Sequence, residues 1–251
     1  MINMDKKTAL IDGDSLIYYE MGKSSLTEAL HGIDERISDM LNKCGADNYA
    51  GFLTQGKCFR YAVAKNRPYK GNRKYGDKPI IFPAIKEYLK QHYKFTVVPE
   101  LEADDLVSVY HNENTVICSP DKDVLLQNVG THYNYGKAEK VIVNADQTTR
   151  FLWKQVLMGD STDGIEGIPK VGPKTADSWL DLVHPADMPE FVLKKYLEKF
   201  GIPNGIDKFA ETFKLIYILK SPEDVLRETG IILPELVTYD VEPQIENDLW
   251  Q

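Results

Sequence analysis

Nine carboxylates fall into four short clusters along the chain: Asp12-Gly-Asp14, Glu102-Ala-Asp104-Asp105, Asp121-Lys-Asp123 and Gly159-Asp160-Ser-Thr-Asp163. Each cluster closes an apolar strand-like run or stands at one end of a helical one. Acids gathered at neighbouring strand ends repel one another unless cations lie between them. A pocket of oxygen donors without His or Cys suits hard ions, Mg²⁺ or Mn²⁺. Hydrolysis at a phosphate is chemistry that such ions promote.

The elements that must position these acids follow from hydrophobic periodicity. Thr8-Ala-Leu-Ile-Asp12 reads as a buried strand with a helical turn from about residue 15, and Leu26, Leu30, Ile33, Ile37, Met40 and Leu41 mark one face of an amphipathic helix. Strands are expected over 49–53, 95–98 and 115–119, and helices over 83–93, 102–111, 151–158, 189–200 and 206–219. This alternation predicts an α/β fold, a parallel sheet with helices on both faces. Sites in such folds form beyond the carboxyl ends of the strands, where Asp12 and Asp121 both lie. Glu102 and Asp105, three apart, are expected on one helix face, with Asp104 pointing elsewhere, to a second metal or a water.

Beyond residue 159 the texture changes. Gly164-Ile-Glu-Gly167-Ile-Pro-Lys-Val-Gly172-Pro-Lys174 is a glycine-punctuated hairpin between two helices, whose free N–H groups can hold a phosphate without reading a base. Net charge is −8, yet the stretch from Lys57 to Lys94 carries eleven Lys or Arg against Asp77 and Glu87, a local excess of +9. An acidic chain with one dense basic segment separates a metal site from a phosphate-contact surface. The three cysteines form no Cys-x-x-Cys pair, no run of about 18 apolar residues occurs, and the first residues lack a signal-peptide pattern. A reduced, cytoplasmic protein away from membranes is expected, its thiols serving as packing groups.

Six pieces in order resemble the 5′-nuclease superfamily of flap endonucleases and 5′→3′ exonucleases, as found in bacteriophages and in the N-terminal domain of bacterial DNA polymerase I. They are Ile11-Asp12-Gly13-Asp14, Tyr69-Lys70-Gly71-Asn72-Arg73, Glu102-Ala-Asp104-Asp105, Ser119-Pro-Asp121-Lys-Asp123, Met158-Gly159-Asp160-Ser-Thr-Asp163 and Gly167-Ile-Pro-Lys-Val-Gly172-Pro-Lys174, spanning roughly seven-tenths of the chain. The resemblance implies a PIN-like catalytic domain over 1–158, a helix–hairpin–helix (H3TH) and C-terminal helical region over 159–235, and an acidic tail over 236–251. Carried over by position, Asp12, Glu102, Asp104, Asp105, Asp121, Asp123, Asp160 and Asp163 would hold or surround two metals. Lys70 would approach the scissile phosphate with Arg73 assisting, while Gly167, Gly172 and Lys174 would contact the duplex backbone, the hairpin also holding a monovalent cation such as K⁺. Two departures stand out. Thr54 or Gln55 occupies a place where relatives usually have a metal-site Asp, so that Asp14 is a candidate substitute, and the interval from Arg73 to Glu102 is short for a threading arch.

The expected activity is two-metal hydrolysis of DNA with a free 5′ end, a 5′ flap or an RNA–DNA junction, by a monomer working among replication proteins. Lys70 and Arg73 would neutralise developing phosphorane charge. Tyr69, Tyr75 or Tyr61 would stack on an unpaired base, worth about 1–3 kcal/mol. Two rivals remain: a haloacid-dehalogenase-type phosphatase with Asp12 as nucleophile, and a DNA-structure-binding protein that does not cut.

Overall fold

A computed structural model describes residues 6–72 and 79–240. Strand β1 (Thr8–Asp12) leads into α1 (Gly13–Glu20) and α2 (Leu26–Cys44), and β2 (Asn48–Phe52) is followed by the short α3 (Arg60–Val63), α4 (Ile81–Gln91) and α5 (Ala103–Val109). Next come β3 (Thr115–Cys118), α6 (Lys122–Leu126), the hairpin β4 (Gly130–Asn134) and β5 (Glu139–Val143), and α7 (Ala145–Met158). The ribbon β6 (Gly159–Asp160) and β7 (Ile165–Glu166) precedes α8 (Pro173–Leu180), a 3-10 turn, α9 (Met188–Phe200), α10 (Asn204–Ile216), α11 (Pro222–Thr229) and β8 (Tyr239–Asp240).

The sheet runs β5-β4-β3-β1-β2-β8. Its centre is parallel, whereas both edges, β5 and β8, are antiparallel. Every residue of β1 is buried, and alternate side chains serve opposite faces. Ala9 and Ile11 join the cluster of α1, α2 and α4 that includes Leu16, Ile33, Met40 and Leu89. Leu10 joins the opposite cluster with Leu106, Val107, Val124 and Val225. A third core, built on Trp153, Val156, Leu180, Val192 and Tyr196, holds α7 to α10 together. Each fully buried aliphatic side chain contributes about 1.5–3 kcal/mol against exposure, so the two faces of β1 fix its register tightly.

This topology creates the site. From β1 the chain crosses to β2 on one side and later to β3 on the other, so a crevice opens beyond the carboxyl end of β1. Asp12, paired in register with Phe52, stands at that end, one step past the Ile11–Cys118 pair.

Several elements differ from the sequence expectation. The segment 95–98 contributes only a bridge from Thr96 to Phe52 rather than a strand. The β4–β5 hairpin and α6 carry no strong apolar period, and the short α11 buries only Val225; β4 reads Gly-Thr-His-Tyr-Asn, and its His132 and Asn134 are buried polar groups. All three cysteines are buried thiols, with Cys44 Sγ 3.5 Å from Cys118 Sγ.

Candidate active site

The end of β1 is held by its neighbours. Asp12 accepts from the Ser15 N–H at 3.2 Å, capping α1, and from Ser119 Oγ at 2.8 Å. Ser119 Oγ in turn accepts from the Asp121 N–H at 3.1 Å, tying the ends of β1 and β3 together. Asp121 caps α6 by accepting from the Asp123 N–H at 2.8 Å. Ser119 lies within a recognised motif, yet its bridging role depends on strand pairing and is invisible in local spacing.

At the end of β2, Thr54 has three partners. Its N–H donates to both oxygens of Asp14 at 3.1 and 3.3 Å. Its Oγ1 accepts from the Ala103 N–H at 3.0 Å, at the start of α5, and its carbonyl accepts from Lys86 Nζ. The neutral residue here is therefore a helix cap, and the acid over this corner is Asp14.

The start of α5 overturns one expectation. Asp105 is fully buried and turned away from the cluster. Arg60, 3% exposed, donates two hydrogen bonds to it at 2.7 Å each, and the Leu219 N–H adds a third at 3.1 Å. Both oxygens are consumed by a residue from α3, which local helical spacing could not reveal. Glu102 stands between the two environments: it accepts from Arg60 at 3.1 Å, from Tyr69 Oη at 2.9 Å and from Lys70 Nζ. Burial alone would raise its pKa, but the Arg60 and Lys70 cations bring it down to about 2.

Asp104, one residue on, faces the acids instead. Burial pushes its carboxyl well above the usual range, and Asp12, Asp121 and Glu102 push it further, with Lys70 opposing. Asp12 is raised by burial and then by Asp14. Asp121 is raised by burial and then by Asp12 and Asp163, and Asp123 reaches about 7 through burial, Asp121 and Asp160. One field thus links Asp12, Asp104, Asp121, Asp123, Asp160 and Asp163. The last two come from the β6–β7 turn, where Asp160 accepts from the Thr162 N–H at 2.7 Å.

Lys70 reaches the same space from a separate segment. Its Nζ pairs with Glu102 and lies 3.8 Å from Asp163, and its backbone N–H donates to the Asp163 carbonyl at 2.7 Å. Tyr69, expected to stack on a base, is 4% exposed, with its hydroxyl on Glu102 and at 3.2 Å from Asp163. Its ring is covered by Tyr61 at 5.3 Å, so Tyr69 positions acids and offers no face to a nucleotide. Arg73 and Tyr75 lie outside the described residues.

The result is a cavity of about 250 Å³ lined by Lys70, Glu102, Asp104, Asp121, Asp123, Asp160 and Asp163. The donor set is all oxygen, its members repel one another, and Asp123 Oδ1 is buried without a hydrogen-bond partner. These residues fit hard divalent cations. Among the described residues, no three His, Cys, Asp or Glu side chains already stand close enough together to hold a metal ion.

Beside the cavity, α7, the β6–β7 ribbon and α8 carry the glycine segment. Gly167 lies against the backbone of Met158 and Gly159: a Cβ there would stand 2.2 Å from the Met158 carbonyl carbon and 2.3 Å from the Gly159 nitrogen. The need for glycine at 167 is thus close backbone packing. Gly172 caps α8 in open space, where a Cβ would meet no atom within 4 Å, and Lys174 is exposed in the first turn. Gly167→Ala is expected to lower the melting temperature by far more than Gly172→Ala, as thermal unfolding of the two variants would show; equal shifts would contradict the packing argument.

No protein-family profile matches the chain. In sequence it is 26% identical over 235 residues to a 5′-3′ exonuclease of Buchnera aphidicola subsp. Schizaphis graminum, covering 81% of this chain and 75% of the relative. It is also 26% identical over 223 residues to the flap endonuclease Xni of Shewanella halifaxensis, covering 80% and 82%. In structure it is similar to a T5 protein co-crystallised with metal ions, with a TM-score of 0.67 at 17% identity, covering 90% of this chain and 97% of that one. A bacteriophage T5 flap endonuclease in complex with DNA and metal ions gives 0.66 at 16% identity, covering 90% and 95%. The resemblance to the 5′-nuclease superfamily therefore holds in sequence over four-fifths of the chain, and the fold is shared with the T5 proteins. No helix among the described residues is long and apolar enough to cross a membrane.

Proposed function

We propose that this chain, akin in sequence and fold to the 5′-nuclease superfamily, is itself a divalent-metal-dependent 5′-nuclease acting on DNA with a free 5′ end or a 5′ flap. The observation that carries the reading is the meeting of mutually repelling carboxylates from three separate segments with Lys70 in a single cavity. Asp12, Asp104, Asp121, Asp123, Asp160 and Asp163 would hold the ions, Mg²⁺ or Mn²⁺, with Glu102 joining them when its bond to Lys70 is exchanged. Two bound ions would supply a water of lowered pKa and charge neutralisation at the leaving 3′ oxygen.

The chain's own groups do the rest. Lys70 Nζ, fixed at the rim by Glu102 and Asp163, meets the scissile phosphate and gains most as charge builds on it. Arg60, itself held by Asp105, helps keep Glu102 ionised and oriented. The ribbon and the start of α8, with Gly172 and Lys174, offer backbone N–H groups and a positive charge to a duplex phosphate, and K⁺ at this turn belongs to the same proposal. In this scheme residues 1–158 are the catalytic unit, completed by Asp160 and Asp163 from the start of 159–235, and the rest of 159–235 holds the duplex. RNA–DNA junctions are a further candidate substrate.

The test is cleavage of labelled 5′-flap, 3′-flap, blunt and single-stranded DNA with Mg²⁺, Mn²⁺ or EDTA, alongside Asp121→Asn. Metal-dependent products from 5′-ended substrates, lost in the variant, are expected. Tight flap binding without cleavage under either ion would favour the non-cutting reading, and an aspartyl-phosphate on Asp12 would favour a phosphatase.

A further inference from the structure

The chain that delivers Lys70 has no regular structure of its own. After α3 ends at Val63, residues 64–72 run irregularly to the cavity rim, so their backbone donors need outside acceptors. Glu211 on α10 provides them. Its Oε1 accepts from the N–H groups of Lys65 at 2.8 Å and Asn66 at 2.9 Å, and its Oε2 accepts from Asn66 Nδ2. Hydrogen bonds to a carboxylate are the strong class, and three converge on one side chain. Further along, Arg67 pairs with Glu166 at 2.6 Å, and Asn72 Nδ2 donates to the Ser161 carbonyl.

Lys70 itself has φ of +55°, a backbone conformation that a non-glycine residue holds only when its surroundings over-determine it. Its N–H bond to Asp163 fixes it from one side. The entry to the segment is fixed from α10, an element of the helical body rather than of the sheet.

We propose that Glu211 is a positioning residue that anchors the 65–72 strap and so sets Lys70 Nζ against Glu102 and Asp163. The catalytic consequence rests on the nuclease reading, whereas the placement of Lys70 can be measured without it.

The experiment is acylation of lysines in the native protein by a mild amine-reactive reagent, followed by peptide mass spectrometry. In the unaltered protein Lys70 should react about tenfold more slowly than the exposed Lys199, because its amine is engaged in ion pairs. Glu211→Ala should bring Lys70 within about threefold of Lys199 by freeing the strap. Glu211→Gln, whose carbonyl oxygen still accepts both N–H groups, should leave Lys70 protected. Glu211→Asp keeps the charge but is one methylene shorter, and should release Lys70 like the alanine variant. The Lys199 rate serves as the internal reference, and an unchanged far-UV circular-dichroism spectrum with a cooperative melt certifies that each variant is folded.

In single-turnover cleavage, Glu211→Ala should lower the maximal rate about tenfold with little change in DNA half-saturation, and should add less than about twofold in a Lys70→Ala background. Protection of Lys70 persisting in both Glu211→Ala and Glu211→Asp would overturn the proposal, as would additive rate losses. A protein that cuts no DNA would remove the nuclease reading, and the labelling would still decide the role of Glu211.

Discussion

Asp104→Asn is expected to lower cleavage of 5′-ended DNA by roughly 10²–10³-fold, the range for loss of one preorganised electrostatic group. In the same variant the melting temperature in EDTA should rise. Both effects come from one cause. Burial, then the carboxylates of Asp12, Asp121 and Glu102, push the Asp104 carboxyl well above its usual range. A raised folded pKa means that the folded state binds this proton more tightly than the unfolded one. The metal-free protein therefore loses stability as pH rises above the ordinary carboxylate range.

Asparagine has no proton to lose and no charge to repel, so it should flatten that pH dependence while removing an oxygen that cations require. Divalent ions relieve the same repulsion, and should raise the melting temperature of the unaltered protein more than that of Asp104→Asn. Thermal melts at pH 5 and pH 8, with EDTA and with Mn²⁺, would expose this pattern. A variant that is less stable in EDTA at pH 8 and cuts normally would contradict the placement of Asp104 in the charged cluster.

Arg60→Met should cost about 3–5 kcal/mol of folding stability, the penalty for leaving buried carboxylates without their cation. Arg60 is 3% exposed and joins two regions: Asp105 and Glu102 on the α5 side, and the end of α10 through the Leu215 carbonyl at 3.2 Å and the Tyr217 carbonyl at 2.8 Å. Its loss strands Asp105, whose remaining partners are backbone donors, and removes the foremost cation that holds Glu102 down at about 2. Replacing the pair together, as Arg60→Met with Asp105→Leu, should recover part of the loss, since well-packed apolar groups can match a buried pair. Urea midpoints of the three proteins would decide it. A single variant within 1 kcal/mol of the parent, against the expected ~3–5, would mean that water already reaches this pair.

The structure also explains which of these roles could be read in advance. Apolar runs such as Thr8-Ala-Leu-Ile-Asp12 and Thr115-Val-Ile-Cys118 are buried on both faces of the sheet, so hydrophobicity alone located β1 and β3 and placed Asp12 and Asp121 at their carboxyl ends. Amphipathic spacing located α2, α4, α9 and α10 for the same reason. The glycines at 159 and 167 marked a special backbone, although the demand there is close packing of one glycine against the other.

The identity of the acids that face the cavity was decided elsewhere. Asp104 and Asp105 are adjacent and chemically alike, and both were expected at the metals, helical spacing only placing Asp105 on the face of Glu102. What separates them is Arg60, more than forty residues earlier, which must bury its charge and takes Asp105 to do so. Tyr69 is drawn inward by Glu102 and Asp163 in the same way, and Thr54 becomes a cap because α5 begins against it. The sequence by itself determined the strand ends, the acid clusters and the sign of the chemistry, because local apolar periodicity and residue type are sufficient for those. Only the tertiary structure decided which carboxylate, tyrosine or lysine faces the cavity, because a buried charge takes its direction from a partner distant in the chain.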